Sequence, residues 1–104
     1  MANFESEPYR RLVAKLPCVR CNRTDRSQAA HANTPPFGKG LGIKAHDWAV
    51  FPLCADEPGQ LGCHTQHDRY MGGLSKCERI DVEAGYIAQT FCQLMAAGKL
   101  KVAS

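Results

Sequence analysis

Six cysteines in 104 residues constrain this chain more than any other feature. So many thiols in so short a chain serve either a disulfide framework or a metal site. The opening MANFESEPYRR lacks the apolar core of an export signal, which points to a reducing cytoplasm where thiols stay free. Spacing then favours metal. Cys18-Val-Arg-Cys21 is a two-residue knuckle whose turn brings both thiolates to one tetrahedral ion. Cys54 and Cys63 form a second pair with eight residues between them, where zinc ribbons usually have about two to four. The insert, Ala-Asp-Glu-Pro-Gly-Gln-Leu-Gly, is rich in turn formers and can loop Cys63 back to the ion. The expected ligands of a structural Zn2+ are therefore Cys18, Cys21, Cys54 and Cys63. A redox role for the knuckle has no βαβ pattern to go with it. Cys77 and Cys92 fall on a later helical pattern and read as small buried or half-buried apolar side chains.

A chain this short makes one domain, spanning 1–104, and can bury only a modest core. A structural zinc would supply on the order of 10 kcal/mol to folding, more than such a core is expected to net. With 44% apolar and 22% charged residues the composition is that of a globular chain. No apolar stretch is long enough for a transmembrane helix, so no membrane partner is expected. The net charge of +3 is compatible with a polyanion without requiring one.

Along the chain, residues 1–7 read as frayed. From Pro8, the residues Tyr9, Leu12, Val13 and Leu16 recur at helical spacing, with Ser6 as a cap and Pro17 as a stop. After the knuckle, Gln28–Ala32 reads as a strand, and 33–46, with two prolines and three glycines, as a loop. Trp48–Leu53 is apolar enough for a second strand, with Pro52 marking its end or an edge. Cys63 to about Tyr70 reads as a short helix closed by Gly72-Gly73. Within 75–98, Ser75-Lys-Cys-Glu78 has the form of a capping box. Ile80, Ala84, Ile87, Phe91, Leu94 and Met95 then predict a packing helix over roughly 76–97, stopped by Gly98. Trp48, Phe51 and that helix face are the expected core.

Three histidines stand beside distinctive partners. His64 follows Cys63 directly, and His67 and Asp68 lie three and four residues beyond it, near one helix face. His64 with either Asp68 or His67 can chelate one divalent ion, with magnesium, manganese, nickel and zinc all compatible. His31 ends the first strand. His46 has no evident partner and reads as a solvated loop residue.

The order of these features resembles the HNH (ββα-metal, His-Me finger) nucleases, and most closely their small phage and prophage members. The matching residues are Ala30-His31-Ala32-Asn33, then Gly38-Lys39-Gly40-Leu41-Gly42-Ile43-Lys44-Ala45-His46-Asp47, then Leu53-Cys54 and Cys63-His64-Thr65-Gln66-His67-Asp68. The likeness covers residues 18–68 and, more loosely, the helix after them. It implies an α+β fold with a zinc-stabilised ββα-metal core over 18–70, a short N-terminal helix and a C-terminal packing helix. It further implies a metal-dependent endonuclease hydrolysing DNA phosphodiester bonds in a bacterial cytoplasm, encoded by a phage or prophage. In that family pattern His31 is the general base and Asp47 stands roughly where the base-orienting residue belongs. His64 holds the catalytic ion with Asp68 or His67, while Asn33, Lys39 and Lys44 face nucleic acid. Where many members carry Asp or His just before the base, this chain has Ala30. A zinc-stabilised nucleic-acid-binding module without catalysis is the alternative; it would need neither His31 nor His64.

Overall fold

The computed structural model describes residues 4–40, 42–70 and 73–100. They form an α+β fold: α1 (Glu7–Ala14), β1 (Ser27–His31), a 3-10 turn (Pro35–Phe37), β2 (Val50–Cys54), α2 (Cys63–Tyr70) and α3 (Lys76–Ala96). Ser6 caps α1 by accepting the Tyr9 N–H, and Pro8 sits in the first turn, where it forfeits no hydrogen bond. Residues 4–7 are not frayed. Phe4 N–H donates to His46 Nδ1, Phe4 C=O accepts from Asp47 N–H, and Ser6 N–H donates to the Asp47 carboxylate. Local composition could not disclose that anchoring, because the partners lie about 40 residues away. The expected fraying of residues 1–3 lies outside the described residues, as does Gly72.

β1 and β2 pair antiparallel, with His31 opposite Val50 and Ser27 opposite Cys54. Pro52 sits mid-strand opposite Ala29 rather than at an end. It is tolerated because, among the described residues, the sheet has two strands and β2 keeps an outer edge. On that edge the Pro52 carbonyl accepts from Val19 N–H at 2.8 Å, docking the knuckle. β2 starts two residues later than expected. His46–Ala49 forms a turn, closed by Ala49 N–H to the His46 carbonyl. Trp48 therefore lies outside the strand and is 38% exposed, not core. Its ring stacks on His46 at 5.5 Å, so His46 also has a ring partner and a hydrogen bond rather than solvent alone.

Every residue of β2 is buried, because each face meets a different apolar group. Val50 packs with Val13 of α1 and Leu94 of α3. Phe51 and Leu53 pack with Ala30, Ala32, Ala45, Ala49 and Ile87. The capping box predicted for α3 is present in both directions, and Gly98 at φ 72° ends the helix in the left-handed region that glycine accepts. The buried stripe of α3 differs from the expected one: it runs Glu83, Ile87, Thr90, Leu94, leaving Ala84 and Met95 exposed. Cys77 and Cys92 are exposed as well.

Glu83 occupies a core position because its carboxylate is fully supplied with donors. Thr34 Oγ1 donates to Oε1 at 2.6 Å, Asn33 N–H to Oε2 at 2.7 Å, and His67 Nε2 lies 2.8 Å from Oε2. Burial alone would raise this carboxyl; His67, Thr34 and the Asn33 amide more than offset that and hold it below the usual carboxylate range. A carboxyl depressed in the folded state stabilises above its unfolded pKa of about 4.3 and loses that contribution as pH falls through the folded value. Glu83→Ala should cost about 3–5 kcal/mol at neutral pH, because it leaves a buried polar group unpaired. Urea denaturation will show this, and the gap from wild type should narrow below about pH 4. Met95→Ala, at an exposed site, should stay within about 0.5 kcal/mol.

Candidate functional site

The four expected cysteines come together. The ligand atoms of Cys18, Cys21, Cys54 and Cys63 all lie within 4.8 Å of one another. Cys21 and Cys54 Sγ are 3.8 Å apart, about the edge of a tetrahedron with metal–sulfur bonds near 2.3 Å. The group can hold a metal ion such as zinc. Asn22, in the left-handed region at φ 65°, turns the knuckle, and its N–H bonds the Cys18 carbonyl at 2.8 Å. Cys54 ends β2 and Cys63 opens α2. The long insert between them is folded tightly by a Glu57–Gln60 bridge, by Arg23 and Arg26 on Glu57, and by Asp56 accepting the Gly62 N–H. Gly62 is required by close approach: a Cβ there would stand 2.3 Å from the Cys54 carbonyl oxygen.

Thiols this close cannot all ionise without a cation. Burial opposes ionisation of Cys18, but the amides of Cys21, Arg20 and Cys54 outweigh it and bring its pKa down to about 7. Burial and the neighbouring sulfurs push Cys63 far up, and Cys21 is raised too. A bound divalent cation reverses that penalty by taking all four as thiolates.

The second centre starts at the end of β1. His31 Nε2 lies 2.7 Å from Asp47 Oδ1, and Asp47 is 4% exposed. Asp47 Oδ2 accepts from Ser6 N–H at 2.6 Å and faces Arg10 Nε at 3.2 Å. Burial would raise the Asp47 carboxyl; His31, the Ser6 amide and the Arg10 charge prevail and keep it low. An ionised Asp47 accepts a hydrogen bond from His31 Nε2–H, leaving Nδ1 as the basic nitrogen.

α2 supplies the third group. His64 Nε2 stands 3.6 Å from Asp68 Oδ2, beyond hydrogen-bond length and close to the spacing of two ligands on one ion with bonds of about 2.1 Å. His64 Nδ1 lies 2.8 Å from Gln28 Oε1, and Asn33 Nδ2 donates to Asp68 Oδ1 at 2.9 Å. Gln28 thus fixes the tautomer that leaves Nε2 as acceptor, the usual support of a ligating histidine. His67 does not join this pair. It is 3% exposed, held by Glu83 and edge-packed on Phe51, so it belongs to the core beneath. Positions three and four residues on lie to either side of His64 on a helix, about 60° and 40° away, and here the side of His67 faces Glu83 while that of Asp68 faces the cleft.

His31, His64, Asp68, Asn33, Lys39 and Lys44 all line one cleft of about 630 Å³. Arg10 and Arg11 of α1 line it too, with Glu7 paired to Arg11 at 2.6 Å, so four cationic and two acidic side chains share the cleft with the histidines. Ala30, just before His31, is fully buried. Three contributors went unread in the sequence: Gln28, Arg10 and Glu83. Glu83 alone left a trace, since it shares helical spacing with Ile87, Thr90 and Leu94. Compared with family models, curated proteins and solved structures, the chain finds no match.

Gly62→Ala should displace Cys63 and weaken Co2+ binding, read by thiolate-to-cobalt charge-transfer absorption, by about tenfold or more. Cys77→Ser and Cys92→Ser, exposed and outside the cluster, should leave that titration unchanged.

Proposed function

We propose that this protein is a metal-dependent DNA endonuclease of the HNH type, of phage or prophage origin, with a structural Zn2+ on Cys18, Cys21, Cys54 and Cys63. One observation carries the reading: a single cationic cleft is lined both by a carboxylate-held histidine, His31 on Asp47, and by the i,i+4 pair His64–Asp68. The motif resemblance supplies the family and the origin, and the order β1, β2, α2 is the one a ββα-metal core requires.

His64 Nε2 and an Asp68 carboxylate oxygen would hold the catalytic ion, with Gln28 and Asn33 steadying them. Bound there, a divalent cation such as Mg2+, Mn2+, Ni2+ or Zn2+ offsets charge on the scissile phosphate and the leaving oxygen. His31 Nδ1 takes a proton from the attacking water, and Asp47 stabilises the imidazolium that results. Lys39, Lys44 and Arg11, which line the cleft, would meet phosphates flanking the scissile one, and Asn33 would stand with Asp68 beside them. A DNA strand would enter the cleft along those cations.

Supercoiled plasmid incubated with Mn2+ tests the reading. Wild type should nick it, and His31→Ala and His64→Ala should each slow nicking by at least about 100-fold. Salt-dependent DNA binding without nicking in Mg2+, Mn2+ or Ni2+ would instead identify a non-catalytic binding module. Variants as active as wild type would remove both histidines from the chemistry. Protein purified without chelator should contain about one equivalent of tightly held zinc, measured by mass spectrometry of the metal.

A further inference from the structure

The residues resembling a known pattern begin at position 18, yet the carboxylate that holds His31 is itself held by residues before that point. Asp47 is almost wholly buried, with His31 on Oδ1 and the Ser6 N–H on Oδ2, while Arg10 Nε stands 3.2 Å from Oδ2 as a compensating charge and makes no hydrogen bond. Ser6 and Arg10 are one helical turn apart at the start of α1, and Arg10 N–H bonds the Ser6 carbonyl at 3.1 Å. One turn of α1 therefore presents a backbone donor and a guanidinium to the same oxygen. Asp47 N–H also bonds the Phe4 carbonyl, which ties the acid's own backbone to the segment leading into α1.

From this geometry we infer that Arg10 is a positioning residue: it acts through Asp47 to fix the tautomer and orientation of His31. The inference rests on the nuclease reading for its kinetic consequence, though not for its structural one. A buried carboxylate without a compensating cation tends to take up a proton or to turn toward water. Either change frees His31 Nε2 from its acceptor and lets the ring proton distribute over both nitrogens. A base with the wrong nitrogen protonated cannot accept the proton of water, and the cost falls on turnover rather than on DNA binding. Arg10 also lines the cleft, so a simple phosphate contact is the competing role. That role predicts the opposite split, with KM raised and kcat kept.

Two measurements on Arg10→Gln and Arg10→Lys in the full chain decide between these roles. The first is the two-bond proton–nitrogen correlation of the His31 ring, recorded before any Mn2+ is added. Wild type and Arg10→Lys should show the Nε2-protonated tautomer, and Arg10→Gln a mixture of the two. The second is nicking in Mn2+, where Arg10→Gln should lower kcat by about 10–100-fold with KM shifted less than about threefold, and Arg10→Lys should restore most of the loss. An unchanged His31 tautomer in Arg10→Gln, or a rise in KM alone, overturns the inference. If Arg10→Gln does not fold, Arg10→Ala takes its place in the same two measurements: an unchanged His31 tautomer overturns the inference, and a mixture of tautomers that Arg10→Lys does not show upholds it. Should His31→Ala prove fully active, the nuclease reading falls while the ring spectrum still decides what Arg10 does.

Discussion

Two strands of five residues cannot hold a fold in water by themselves. Besides the packing of β2 on α1 and α3, this small sheet has the convergence of four sulfurs from three places: the knuckle after α1, the last residue of β2 and the first residue of α2. An ion bound there would staple the outer edge of β2 to the segment beside it and fix where α2 begins. The consequence reaches the cleft at once, because His64 is the next residue after Cys63. The direction in which α2 leaves the sulfur cluster sets the direction in which His64 and Asp68 point. Gly62 shows how little slack that junction has, since the backbone passes so close to the Cys54 carbonyl that no Cβ fits.

A second constraint comes from two buried acids that hold the cleft from opposite sides. Asp47 joins α1 to the end of β1 through Ser6, Arg10 and His31. Glu83 joins α3 to the segment after β1 through Asn33 and Thr34, and to α2 through His67. Asn33 is the shared element: its backbone N–H goes to Glu83 and its side chain to Asp68. The cleft side chains are thus fixed by carboxylates whose partners are supplied by the protein itself. Such networks stiffen a structure when every member is satisfied, and they become costly when one is removed.

Much of this is legible from spacing. The cysteine knuckle, the capping box at Ser75, the Ser6 cap and the i,i+4 relation of His64 to Asp68 are local patterns, and local patterns survive in one dimension. The misread parts depend on contacts far apart in the chain. Residues 4–7 read as loose because their partners, His46 and Asp47, are distant in sequence. Trp48 reads as a strand and core residue, yet the turn at His46–Ala49 takes it to the surface. On α3 the apolar count favours a face through Ala84 and Met95, and the buried stripe instead includes Glu83 and Thr90. An acid in a core position looks like a surface residue until the groups that satisfy it are known. The choice between His67 and Asp68 as the companion of His64 is open in the sequence for the same reason, since only the position of Glu83 explains why His67 turns inward.

Ala30 also makes sense of how protein ligands are shared out on the proposed reading. The position before His31 is fully buried against Phe51 and Ile87, so an ionisable side chain there would need a buried partner of its own. On that reading the ligands for a catalytic ion would come from α2, and β1 would contribute only the base at its end. A protein shell of His64 and Asp68 alone would leave most positions of an octahedral ion to water and phosphate oxygens. Such an ion would be retained weakly in the absence of DNA, in contrast to one on the four-sulfur cluster. On the proposed reading the two sites would divide the work accordingly: a metal on the sulfurs would shape the chain permanently, and the cleft would gather its ion together with the substrate.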